Sequence, residues 1–281
     1  MRAEQVTDPV AYHAEGPVWA SSWGGLRWVD MLAGDVLSFD PAGGVARRHV
    51  GTVVAALRPR VGGGAVLALE RGFALEDPDG TLHPGPEAWD DPGVRMNEGG
   101  CDPDGRFWCG SMAYDQKAGA ASVYRLEPGG EVTPVLHDVT VSNGLAWSPD
   151  GGVAYYNDTP THRVDVFDYV AGELVGRRPF VDLSDEEASP DGLTVDAEGG
   201  VWTALNGSGV VRRYDARGRL TDVVELPVRQ VTACVLGGPR LDELYVTTSR
   251  ENLPPDAEPL AGSLFRAAVG VPGLEPLPFA G

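Results

Sequence analysis

Three short phrases, Glu15-Gly16-Pro17-Val18-Trp19, Asn143-Gly144-Leu145-Ala146-Trp147 and Asp191-Gly192-Leu193-Thr194-Val195, each set an oxygen-bearing side chain directly before a glycine and an apolar run of β character. Two carboxylates and one amide oxygen make a set of hard donors that suits a divalent cation, provided the fold brings them to one axis. Taken singly, Asn-Gly and Asp-Gly are common turn pairs and carry little information. A fourth phrase, Arg95-Met96-Asn97-Glu98-Gly99, adds a guanidinium and a second amide. Oxygen ligands favour calcium, magnesium or manganese; zinc, which prefers nitrogen and sulfur, is a weaker fit. His13, His49, His83, His137 and His162 show no ligand spacing, and only His13, two residues before Glu15, stands near the set. A lone histidine is a weak signal, so a structural role is the expectation for it.

Hydrolysis at a carbonyl requires that the carbonyl be polarised, a water activated and the oxyanion stabilised. A divalent ion meets the first and third needs as a Lewis acid and lowers the pKa of a bound water. Asp191 is the candidate general base, although coordination to a cation lowers its pKa and weakens it in that role. Water activated on the cation, with Asp191 only orienting it, is the alternative. Arg95 would anchor carbonyl or hydroxyl oxygens, and Asn97 would serve as a substrate donor or an extra ligand. Lys117, the single lysine, lies in the loop-like Tyr114-Asp115-Gln116-Lys117-Ala118-Gly119 and reads as a solvated surface group rather than a Schiff-base former. No G-x-S-x-G elbow, H-E-x-x-H, P-loop or Rossmann glycine pattern is present. Asp102-Pro103-Asp104-Gly105 lacks the spacing to a bidentate glutamate that a calcium loop requires, and is a turn.

The elements that must position these groups are strands. Helical periodicity is almost absent, whereas β-branched and aromatic runs such as Leu26–Asp30, Val36–Asp40, Ala65–Leu69, Ser122–Leu126, Val164–Asp168 and Val210–Tyr214 recur between turn signals. The turns Asp40-Pro41-Ala42-Gly43, Asp77-Pro78-Asp79-Gly80, Asp102-Pro103-Asp104-Gly105, Ser148-Pro149-Asp150-Gly151, Asp196-Ala197-Glu198-Gly199 and Asp215-Ala216-Arg217-Gly218 place a capping side chain first and a glycine last. Grouped, the hairpins repeat six times, with starts near Glu15, Ala55, Asn97, Asn143, Asp191 and Ala233, at intervals of 40, 42, 46, 48 and 42 residues. Four-stranded propeller blades have this spacing, and a sandwich has no reason to repeat one start motif. The expected fold is therefore all-β: a six-bladed β-propeller of four-stranded antiparallel blades around a central channel, one domain over 1–281, with the rim residues of the inner strands facing a common cavity. A ring must close, so the segment before Glu15 is expected to pair with the last blade. The segment from Pro84 to Gly93 is expected as an inter-blade loop.

Charge and cysteine narrow the partners. With 22 Lys and Arg against 41 Asp and Glu, the net charge of -19 repels phosphate backbones and anionic membranes, which leaves nucleic acid and membrane as unlikely partners. Cys101, Cys109 and Cys234 are too few and too scattered for a disulfide framework and are expected as buried thiols. The N-terminus lacks the apolar core of a signal peptide and no stretch is long enough to span a bilayer, so a cytoplasmic location is the expectation.

The phrases around Glu15, Arg95, Asn97, Asn143 and Asp191 resemble those of the senescence-marker-protein, regucalcin and gluconolactonase family. So do Gly110-Ser111-Met112, the stretch from Tyr155 through Asp158 to Asp168, and Val231-Thr232-Ala233-Cys234 with Leu244-Tyr245-Val246-Thr247, in order from about Glu15 to Arg266. The resemblance implies a six-bladed propeller whose one divalent metal is held at Glu15, Asn143 and Asp191, with Arg95 and Asn97 binding a sugar. It also implies an acidic substrate-binding residue shortly after Gly-Ser/Thr-Met, here Asp115, one methylene shorter than the usual glutamate, which would alter specificity. The function this implies is a metal-dependent lactonase acting on small carbohydrate lactones. The same site acting on another ester, lactone or phosphotriester, or a calcium-binding propeller without chemistry, are the alternatives; Arg95 beside Asn97 favours chemistry, since a passive ion site needs no substrate clamp. The loops around Asp115 and Glu186-Glu187 are the expected lids over the site.

Overall fold

Hairpin turns form where the Asp/Pro/Gly phrases place them, and two of them show the same lock. Asp102 Oδ1 accepts from the backbone N–H groups of Asp104 and Arg106 at 3.0 and 2.8 Å, while its Oδ2 accepts from the Trp108 indole at 2.6 Å. Asp196 repeats the pattern with Glu198, Gly200 and Trp202 at 3.0, 2.8 and 2.9 Å. One carboxylate thus satisfies the turn and ties it to the buried tryptophan of the next strand, and an arginine, Arg106 or Arg213, pairs with the charge at 2.7 Å, so these aspartates are fully buried with partners.

The computed structural model describes residues 1–42 and 44–281; Gly43, the last residue of the first expected turn, lies outside the described residues. The strands assemble into six four-stranded sheets. Their innermost strands are Ala14–Ala20, Val54–Pro59, Val94–Cys101, Ser142–Trp147, Ser189–Val195 and Val231–Gly237. Each packs against the inner strand before and after it, the last against the first, so the blades form a closed ring. All six expected starts lie on these inner strands. Apolar layers between blades are filled by large side chains, among them the fully buried Trp28, Trp108 and Trp202. The short strand Glu4–Gln5 completes the sixth blade by pairing with Phe265–Ala268, Glu4 opposite Arg266 and Gln5 opposite Phe265, so the ring closes as expected.

A common irregularity sets the rim. Every inner strand shifts register against its neighbour at its start motif: between Glu15 and Val18, Val54 and Ala56, Met96 and Gly99, Ser142 and Leu145, Pro190 and Leu193, and Val231 and Cys234. These are β-bulges, which bend a strand and re-aim its side chains. The X-Gly pairs are therefore not turns, and their glycines serve close packing instead. A β-carbon on Gly144 would lie 2.5 Å from Leu193 N, and one on Gly192 would lie 2.4 Å from the Ala233 β-carbon.

The segment from Pro84 to Gly93 departs from expectation. Leu82–Glu87 is the outer strand of the second blade, paired with Gly72–Glu76, and only 88–93 connect to the next blade. Pro84 and Pro86 are accommodated because an outermost strand has one side free of ladder partners. The chain ends in a strap. From the sixth blade, Gly273 N–H donates to Leu241 O at 2.7 Å; Phe279 N–H then donates to Pro59 O at 2.8 Å, and Ala280 N–H to Gly105 O at 2.8 Å. No helix of the described residues is long and apolar enough to cross a membrane.

Candidate functional site

The bulges bring Glu15, Asn97, Asn143 and Asp191 to one end of the channel, where all four are at least nine-tenths buried. Asp191 Oδ2 accepts from Asn206 Nδ2 at 2.9 Å, and its Oδ1 is buried without a partner among the described residues. Asn143 donates through Nδ2 to Thr159 Oγ1 at 2.9 Å, and Thr159 spends its own proton on Pro190 O at 2.9 Å. That relay fixes the amide and leaves Asn143 Oδ1 buried and unpartnered. Among the described residues Glu15 Oε2 accepts only from its neighbour Gly16 N–H, at 3.1 Å.

Arg95 and Asn97 form a linked pair. Arg95 Nη1 donates to Asn97 Oδ1 at 2.7 Å, Asn97 Nδ2 donates to Ser142 O at 2.7 Å, and the guanidinium lies 5.7 Å beneath the Tyr114 ring. With both polar atoms of its amide engaged, Asn97 is set to orient Arg95 and tie it to the fourth blade. Asp115 is exposed in its loop, where its carboxylate accepts from the Lys117 N–H at 3.1 Å, outside the buried cluster. Glu186 pairs with Arg212 at 2.7 Å.

The cluster is electrostatically unbalanced. Burial, and then repulsion from Asp191 and Glu98, holds the Glu15 carboxyl well above the usual carboxylate range. Burial pushes Asp191 up to about 7, against the opposing pull of the hydrogen bond from Asn206. Burial and Asp191 push Glu98 up to about 8. Uncompensated buried carboxylates cost several kcal/mol each by the usual desolvation penalty, and a bound cation would oppose that cost. Two unpartnered oxygens, two repelling carboxylates and no sulfur ligand fit a hard divalent ion, which Glu15, Asn143 and Asp191 would hold. Among the described residues no group of three His, Cys, Asp or Glu is placed to bind a metal; the third donor here is an amide.

Several contributors were not evident from residue type and spacing. Glu98 lies within one of the key phrases, yet its burial beside Asp191 depends on the bulge. His13 is buried, with Nδ1 2.8 Å from Ser249 Oγ and Nε2 4.0 Å from Glu15 Oε1; burial and Arg95 lower its pKa to about 3, so the ring is neutral. A positional signal does exist for the supports. Fifteen residues after Glu15, Asn143 and Asp191 stand Asp30, Asp158 and Asn206, at the ends of the second strands. Asp30 accepts from His13 N–H at 3.0 Å and Asp158 from Val141 N–H at 2.9 Å, each fixing the backbone two residues before a rim residue.

Residues 13–250 match the SMP-30/Gluconolactonase/LRE-like region. The chain belongs to this family. Within it, the chain is 32% identical over its full length to YvrE of Bacillus subtilis, named as a candidate sugar lactone lactonase, covering 99% of that protein. It is 33% identical to regucalcin of Oryctolagus cuniculus, again over 100% of this chain and 99% of the relative. The crystal structure of regucalcin from Agrobacterium tumefaciens, described as a calcium-binding protein, superposes with a TM-score of 0.93 at 30% identity, covering 99% of this chain and 97% of that one.

Proposed function

We propose that the chain is a divalent-metal-dependent hydrolase that opens small carbohydrate lactones. The observation that carries this reading is the pair of mutually repelling buried carboxylates, Glu15 and Asp191, facing the unpartnered Asn143 oxygen beside an arginine already oriented by Asn97. The sugar lactone lactonase name borne by YvrE supports the substrate class. When bound, the cation supplies Lewis acidity and lowers the pKa of water at the rim. Glu15 and Asn143 serve as ligands. Asp191, its Oδ2 anchored by Asn206, would offer the open Oδ1 to the cation; its carboxylate, next to the reacting water, would also take that water's proton as the carbonyl is attacked and return it to the leaving ring oxygen. Arg95 orients carbonyl or hydroxyl oxygens of the sugar, and Asp115 meets the substrate only from the loop at the lip. An indicator or pH-stat screen of aldonolactones against calcium, magnesium, manganese and zinc tests the reading; activity in none of the pairings defeats it.

A calcium-binding role without chemistry is the second reading, favoured by the description of the Agrobacterium relative as a calcium-binding protein. It gives no purpose to a buried guanidinium held beside the ligands. Calcium binding without hydrolysis of any lactone in the same screen would establish it.

A further inference from the structure

The channel has a second mouth. The inner strands rise about 3.3 Å per residue away from the rim. A cavity of about 410 Å³ begins at Glu98, Leu145 and Leu193, one or two residues beyond the rim positions, and runs on to Arg58, Trp19 and Trp147, three or four beyond, with tail residues 274–277 also lining it. Its volume is that of a small-molecule site.

The polar groups facing it are unsatisfied. Among the described residues the Arg58 guanidinium has one hydrogen-bond acceptor, the carbonyl of Leu57 at 2.7 Å, and no carboxylate in ion-pair contact. Glu98 Oε2 is buried and without a partner among the described residues. Gly100 makes the shape: a β-carbon there would lie 3.6 Å from the Trp147 ring and 3.7 Å from Arg58 Nη2, so the indole and the guanidinium stand side by side over bare backbone. A guanidinium without an ion-pair partner and a buried carboxyl too far from it to form one, around a single apolar-walled space, are costly unless a ligand answers them.

We propose that this distal cavity is a second binding site, for a small carboxylic acid that carries a hydrogen-bond donor on the neighbouring carbon and an apolar remainder. The carboxylate takes the Arg58 fork, the donor faces Glu98, and the apolar part lies against Leu145, Trp147 and Leu193. The α-hydroxy-acid and α-amino-acid patterns both meet this description. The inference does not need the hydrolysis proposed at the rim, although Glu98 is the electrostatic neighbour of both sites.

The probe is 3-phenyllactate, titrated into the full-length protein by calorimetry and by NMR of the tryptophan indole N–H groups. The expected result is a dissociation constant of about 1 mM or tighter, with the Trp147 indole signal shifting and identified by its absence in Trp147→Phe. 3-Phenylpropanoate, which lacks the donor, and 1-phenylpropan-2-ol, which lacks the carboxylate, should each bind about tenfold more weakly or worse. Arg58→Leu should weaken phenyllactate at least about tenfold with the melting temperature unchanged, while Asp191→Ala keeps it. The indole shift in the wild-type protein tests the proposal without relying on the folding of any variant at Arg58. Silence in both measurements up to about 10 mM overturns it, leaving channel water as the only occupant. Binding lost in Asp191→Ala but intact in Arg58→Leu also overturns it, because the acid would then sit at the rim.

Discussion

Asp191 combines three demands that few side chains meet together: it is buried, it faces another carboxylate, and one of its oxygens is left open while Asn206 holds the other. Asp191→Asn keeps the size and the bulge but removes the charge. Turnover of the best lactone is expected to fall about 10²- to 10⁴-fold, the usual worth of a positioned acid–base group. The melting temperature of the metal-stripped variant, in contrast, is expected to rise, because a repelling buried carboxylate is gone. Asn206→Ala leaves every ligand in place but frees Oδ2, and calorimetric cation affinity is expected to drop about 10- to 100-fold, as for other outer-shell partners. Glu15, Asn143 and Asp191 were legible because each precedes glycine in a repeating phrase. Asn206, Thr159 and Glu98 were not, because their contacts arise from pairing between strands or blades, which residue type alone does not encode.

At the scale of elements, the bulged inner strand is the unit that turns a sequence repeat into a site. The bulge lets the rim side chain face the channel, and the glycine after it lets the adjoining blade close. Gly144→Ala would force a β-carbon to 2.5 Å from Leu193 N, against backbone that cannot yield as a flexible side chain would. The expected cost is about 1–3 kcal/mol in denaturant unfolding, with weakened cation binding from the displaced Asn143 oxygen. The strands and turns were readable from alternation and from Asp/Pro/Gly chemistry, but the bulges were not, since a register shift exists only relative to a partner strand. The same limit explains Pro84 and Pro86: whether a proline-rich run is loop or outer strand depends on whether its free edge faces solvent, as it does in the second blade.

At the scale of the molecule, the six-fold interval was enough to specify the ring, and the need to avoid a bare edge was enough to place the N-terminus on the last blade. Removing residues 1–5 should expose the Phe265–Ala268 edge and lower the melting temperature by about 2–10 °C, corresponding to a loss of about 1–3 kcal/mol. Titration of the rim acts on the whole fold as well. Asp191 is raised to about 7 in the folded chain, and Glu15 is raised with it, so the folded state holds more protons than the unfolded one between about pH 4 and 7. The stability this contributes is present at the acid end and is lost as pH rises through 7; the metal-stripped protein should melt lower at about pH 8 than at about pH 5. A divalent ion should restore the loss at the higher pH, visible as a concentration-dependent shift in melting. The most direct test is lactone hydrolysis followed by pH-stat on protein stripped of metal and then reloaded. The account predicts that the stripped protein is inactive, that one divalent ion per chain restores turnover, and that Glu15→Gln and Asp191→Asn cannot be restored; full hydrolysis by the stripped protein would contradict it.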